Sequence, residues 1–128
     1  QVVDLKTGKT ATSQKKVDEH PQLMSYQLAL SRGVFRDGGI YTAAEEEKPL
    51  EVGGGTLFFP ATNAEKPTVR TQAAKDAEQL AEFAELIRPL VDEMTGPTLR
   101  AVTGDHCSFC QLKSICPAQP EGEVTTRG

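Results

Sequence analysis

Asp4, Leu5 and Lys6 lie in a run that reads as an extended strand, Val2-Val3-Asp4-Leu5-Lys6. Alternation along a strand puts Asp4 and Lys6 on one face and Leu5 on the other, so Leu5 is expected to face the core. A carboxylate beside an ammonium suits metal-assisted phosphodiester hydrolysis. The Asp holds Mg²⁺ while the Lys steadies the attacking hydroxide or the charge developing on phosphate. Alone, D-x-K is a common pattern, and a solvent-facing pair at a strand end is its ordinary explanation. Gln22 and Tyr26 are four residues apart on a following helical stretch and therefore share a face. Side by side, their amide and hydroxyl can hydrogen-bond a phosphate oxygen or orient metal-bound water. A partly buried Tyr beside a surface Gln would look the same.

All three cysteines fall within ten residues, as Cys107-x2-Cys110-x5-Cys116 followed by Pro117. An odd count with no secretory features makes disulfide pairing a poor account. Soft thiolates this close together suggest a metal or iron–sulfur site, which normally needs four protein ligands. His106 could complete a Cys3His zinc site, although a ligand adjacent to Cys107 is geometrically awkward.

Several elements must position these groups. The first strand, over about residues 1–6, stops at Thr7-Gly8-Lys9, and a polar stretch with Lys15 and Lys16 follows. Pro21 suits a first helical position with His20 before it, and the helix should run to about Arg32, with Gly33 as a left-handed stop. Residues 36–55 read as irregular, with a short strand at 40–42, an acidic run Glu45-Glu46-Glu47 that looks like a solvated loop, and Gly53-Gly54-Gly55, to which no ligand is assigned. Thr56-Leu57-Phe58-Phe59 is a second strong strand, ended by Pro60. A long helix is expected over about 72–94, where Ala73, Ala77, Leu80, Ala84, Ile87, Val91 and Met94 form a stripe that should pack on the sheet. Phe83, Leu86 and Leu90 broaden it, Pro89 should bend the helix, and Gly96-Pro97 should stop it.

The chain has 128 residues, 38% hydrophobic and 25% charged, which suits one globular domain. Its net charge of −4 argues against a free-standing DNA-binding module held by bulk positive charge. The balance is uneven: residues 1–36 carry +3 and residues 37–128 carry −7, so an anion-binding surface belongs near the N-terminal end. No apolar run is long enough to span a bilayer. Opening on an apolar strand without Met, the chain reads as the C-terminal part of a longer polypeptide.

Val2-Val3-Asp4-Leu5-Lys6-Thr7-Gly8 followed by Pro21-Gln22-Leu23-Met24-Ser25-Tyr26 resembles the last two motifs of RecB-type nucleases, within the PD-(D/E)xK, restriction-endonuclease-like superfamily. The resemblance implies that Asp4 binds a metal, Mg²⁺ or Mn²⁺, to which Leu5 offers its backbone carbonyl. Lys6 would be the catalytic lysine, and Gln22 and Tyr26 the Q-x-x-x-Y pair near the DNA. Cys107, Cys110 and Cys116 match the downstream cysteines of iron–sulfur nucleases in AddAB-type and AdnAB-type helicase–nucleases, implying a 4Fe–4S cluster in the complete protein, with zinc as the alternative.

The match covers about residues 1–119 and is nearest to the C-terminal region of actinobacterial UvrD/RecB-like ATP-dependent DNA helicases. It implies an α/β fold, a restriction-endonuclease-like mixed sheet flanked by helices, truncated at its N-terminal side, with a flexible tail over 120–128. The strand at 1–6 should pair with the one near 56–60, in a direction left open. Implied partners are DNA, upstream helicase domains of the same chain and a second helicase–nuclease subunit, in a cytoplasmic, membrane-free setting of DNA repair or recombination. A catalytically inert DNA-binding or structural module with a zinc or iron–sulfur site is the alternative. The family's upstream Asp and Cys are absent here, and so is any Walker A pattern. Residues 1–128 alone are therefore expected neither to cleave DNA nor to retain a stable cluster, with the region after Gly104 mobile.

Overall fold

The computed structural model describes residues 1–62, 64–97, 100–120 and 122. They fall into two units, Gln1–Ile87 and Arg88–Gly128. In the first, β1 (Val2–Leu5), α1 (Gln14–Asp18), α2 (Pro21–Ser31), β2 (Gly33–Arg36), β3 (Gly39–Thr42), β4 (Gly55–Phe59) and β5 (Thr68–Gln72) follow in order. The helix α3 (Ala77–Thr95) begins in the first unit and ends in the second, which also holds two 3-10 turns, Asp105–Phe109 and Lys113–Ile115. The expected tail at 120–128 lies outside the described residues, apart from Pro120 and Gly122.

The expected pairing forms, and it is parallel: Val2 to Leu5 of β1 align with Gly55 to Phe58 of β4. The intervening α2 packs on both strands, as a crossover between parallel strands requires. On its other side β4 pairs antiparallel with β5, giving the order β1-β4-β5 and a mixed sheet. A separate hairpin joins β2 and β3 through a turn with Asp37 at φ 50° and Gly38 at φ 77°.

Register decides which face is the core. Asp4 is opposite Leu57, and Leu57 is opposite Arg70, so these three point to one side. Leu57 and Phe59 carry the core on that side, buried against Val17 of α1 and Leu23 of α2, with Ala11 and Tyr26 packed against them. The expectation that Leu5 faces the core is therefore reversed: Leu5 is 61% exposed and Val3 65%. Alternation holds, but the helices cover the Asp4 side, because Leu57 and Phe59 lie on that face of the central strand.

Four other local expectations change. The long helix starts at Ala77 rather than near 72, because residues 68–72 extend β5 along β4. Asp76 Oδ1 accepts the Gln79 N–H at 2.8 Å and Gln79 Oε1 accepts the Asp76 N–H at 3.2 Å, a reciprocal cap that fixes the start. The stripe of α3 does not pack on the sheet along its length: Leu80 and Phe83 are buried, while Leu86 is 69% exposed. Val17 and Leu23 already fill the space over Leu57 and Phe59. Gly33 opens β2 instead of forming a left-handed stop, and its missing side chain matters because a Cβ there would meet Ile40 Cγ2 at 2.8 Å. The acidic run is only partly a solvated loop, since Glu47 pairs with Arg36 at 3.1 Å and accepts the Ala44 N–H at 2.7 Å.

Candidate active site

The C-terminal half of β1 and the first two turns of α2 build one polar chain. Lys6 Nζ lies 3.0 Å from Asp4 Oδ2. The same ammonium donates to Gln22 Oε1 at 2.7 Å, and Gln22 Nε2 donates to the Tyr26 hydroxyl oxygen at 2.8 Å. All four side chains singled out by sequence thus meet. Pro21 stands at the first helical position and places Gln22 and Tyr26 one turn apart above β1. Tyr26 packs its ring on the core cluster and keeps its hydroxyl at the chain's end.

Burial makes the charges consequential. The Asp4 side chain is 14% exposed and that of Lys6 31%. Asp4 Oδ2 is buried and accepts no well-directed hydrogen bond; the lysine charge alone compensates it. A buried carboxylate oxygen with spare lone pairs is what a hard cation seeks. The backbone adds a second oxygen. Val2 and Lys6 donate their N–H groups to Gly54 and Phe58 at 3.2 and 2.8 Å, so the even residues of β1 bond to β4. Strand alternation then turns the N–H and C=O of Leu5 to the open edge. Among the described residues, however, no three His, Cys, Asp or Glu side chains gather as a metal group. The Asp4 carboxylate and the Leu5 carbonyl are oxygen donors of the kind a divalent cation takes, and no such group of side chains joins them among the described residues.

A family model described as the PD-(D/E)XK nuclease superfamily matches residues 1–117. The chain belongs to the PD-(D/E)XK nuclease superfamily. Its mixed α/β sheet with flanking helices agrees with the restriction-endonuclease-like fold of that superfamily. Nucleases of this superfamily typically use Mg²⁺ or Mn²⁺. No curated protein matches the chain. No described helix is long and apolar enough to cross a membrane.

A second polar knot in this PD-(D/E)XK domain escaped the sequence. Gln27 and Gln72 are 0% and 1% exposed and bond to each other at 2.7 Å. Gln72 Nε2 lies 2.9, 3.2 and 3.3 Å from the carbonyls of Val17, Asp18 and His20. Gln27 Oε1 accepts the Lys75 N–H at 2.9 Å, and its Nε2 reaches Ala73 O at 3.2 Å. This knot ties the end of β5 to the junction of α1 and α2, and so fixes the helix that presents Gln22 and Tyr26. No motif announces it, because isolated glutamines look like surface residues.

In the second unit the cysteines are free and half-buried. Cys107 Sγ accepts the Gly104 N–H at 3.3 Å, and Cys110 N–H reaches Cys107 O at 3.4 Å. The described residues do not bring the three thiols together as one ligand group. At the end of α3, Glu93 and Arg100 form a two-pronged pair at 2.8 and 3.1 Å. The Arg100 hydrogen bond holds the Glu93 carboxyl below the usual carboxylate range.

Proposed function

We propose that the chain supplies one half of a metal-dependent DNA phosphodiesterase centre. The observation that carries this reading is the continuous Asp4–Lys6–Gln22–Tyr26 chain at the edge of the sheet. Asp4 and the Leu5 carbonyl hold Mg²⁺ or Mn²⁺ together with a carboxylate from another segment. The metal, when bound, activates water for attack on phosphorus. Lys6, oriented by Asp4 and Gln22, stabilises the charge on the phosphate, and Tyr26 positions the strand. Because the Tyr26 oxygen already accepts from Gln22, its own O–H remains available to a phosphate oxygen.

Within the superfamily we place the chain in the RecB-type branch, as the C-terminal nuclease region of an ATP-dependent DNA helicase working in the cytoplasm in repair or recombination. Upstream helicase domains, and a second helicase–nuclease subunit, complete that assembly. Cys107, Cys110 and Cys116 would serve as three ligands of a 4Fe–4S cluster, or of zinc, with a fourth ligand elsewhere. Their spacing supports this, and no catalytic step is routed through them. An inert DNA-binding module is the second reading, favoured by the single carboxylate at the site.

The test is hydrolysis of labelled DNA by the full polypeptide with Mg²⁺ or Mn²⁺, comparing wild type with Asp4→Ala and Lys6→Ala. Each substitution should lower the rate by at least about 100-fold, the scale of losing one preorganised charge. Cleavage unchanged in both variants would sink the nuclease reading. DNA binding without cleavage in the wild type would favour the inert module. Residues 1–128 alone should not cleave, since one Asp gives Mg²⁺ too little negative charge to shed its waters.

A further inference from the structure

We infer that residues 7–16 and Arg70 form a phosphate track that carries one DNA strand across the sheet, away from the Asp4–Lys6 centre. The inference rests on the nuclease reading for the identity of the strand. β1 lies at one edge of the sheet and β5 at the other. Helix α1 packs on β5, where Gln14 Nε2 donates to Thr71 O at 2.7 Å. Residues 7–13 must therefore cross β4 to connect the two, a lateral distance of about 10 Å at two inter-strand spacings. Ala11 packs against the core cluster and pins this crossing segment to the sheet.

Along the path the cations are unspent. Lys9, Lys15 and Lys16 are exposed and enter no ion pair among the described residues. Arg70 shares its face and row with Asp4, with Leu57 between them. Its Nη1 bonds Val69 O at 3.0 Å, while its Nε is buried without an acceptor. A guanidinium with donors in surplus closes the far end of the track. Of the two acids that follow the lysines, Asp18 is engaged by Gln14 Nε2 at 2.6 Å and Glu19 is exposed. Residues 37–128 carry −7, so a polyanion finds its favourable potential along this strip.

Salt dependence measures the track directly. The wild-type chain is titrated against a fluorescein-labelled single-stranded 20-mer by anisotropy, in EDTA, between 50 and 200 mM KCl. The variants are Lys9→Ala/Lys15→Ala/Lys16→Ala, Arg70→Gln, and Lys48→Ala/Lys66→Ala as a control that removes two lysines outside the track, each checked for folding by circular dichroism. The triple variant should flatten the slope of log affinity against log salt by about 2, close to 0.7 for each phosphate no longer neutralised. Arg70→Gln should flatten it by about 0.7, and the control should match wild type. Over this salt range the wild type would then lose roughly 18-fold more affinity than the triple variant. A triple variant with the wild-type slope overturns the track, and so does a control pair that flattens the slope as much per charge. Because no metal or hydrolysis is involved, the track can stand even where Asp4→Ala leaves cleavage in the full polypeptide unchanged and the nuclease reading falls.

Discussion

Replacing Gln72 by Leu tests whether the buried glutamine knot holds α2 in place. Leu fits the volume of Gln but removes every polar atom. The Nε2 group has two hydrogens, so it makes two of its three candidate bonds to Val17, Asp18 and His20 at once. Val17 O also accepts from His20 N–H and His20 O from Met24 N–H, so those carbonyls keep one partner each. Gln27 Nε2 likewise keeps Ala73 O. The loss is therefore three hydrogen bonds of about 1 kcal/mol each, two donated by Nε2 and one accepted from Gln27, plus a share of the cost of an under-satisfied Asp18 carbonyl and Gln27 amide. Burying Leu instead of an amide offsets part of that. We expect about 2–3 kcal/mol of destabilisation, read as a fall of about 1–2 M in the urea midpoint at constant m-value. With Gln27→Leu in a double-mutant cycle, the coupling should be about 1 kcal/mol or more, because the two amides bond directly at 2.7 Å. A loss under about 0.5 kcal/mol, or additive single effects, would refute the assignment of the knot as a clamp.

Gly54→Ala should cost about 2 kcal/mol or more in the same urea assay, since φ is 81° and a Cβ would stand 2.6 Å from Gln72 O. Gly38→Ala, at φ 77° with nothing within 4 Å, should cost only the backbone strain of about 1 kcal/mol; equal losses at the two sites would remove the steric argument. The Glu93–Arg100 pair favours the folded state above the ordinary carboxylate range, and that contribution fades as pH falls through the lowered folded-state value. Carbon-detected NMR titration of Glu93 should show its midpoint return to the usual range in Arg100→Ala.

The sequence made the first strand, the Gln22–Tyr26 helix and the pairing of β1 with β4 legible because each rests on a short-range rule. D-x-K alternates, Q-x-x-x-Y repeats at helical spacing, and Leu57-Phe58-Phe59 is apolar enough to demand a sheet. The phase of β1 was not legible, since Val3 and Leu5 look like core residues until the register to β4 is known. The same holds for β5. Thr68 to Gln72 has β-forming residues at alternate exposure, but so short a run between Pro60 and the helix expected from about 72 reads as loop. The Asp76–Gln79 cap was readable from residue types and was missed, whereas the Gln27–Gln72 knot joins residues 45 apart and leaves no local sign.

The parity of β1 has a consequence for how its length can drift. Its even residues bond to β4 and turn their side chains toward α2, whereas its odd residues keep free backbone at the sheet edge. One inserted or deleted residue inside this strand would exchange the two roles. Asp4 and Lys6 would swing to the uncovered face, away from Gln22, and the free carbonyl between them would be locked into the ladder. A shift of two would restore the faces but move the charged pair one step along α2, breaking the 2.7 Å bond to Gln22. Length changes are thus admissible in the turns on either side and inadmissible within these few positions, whatever residues fill them.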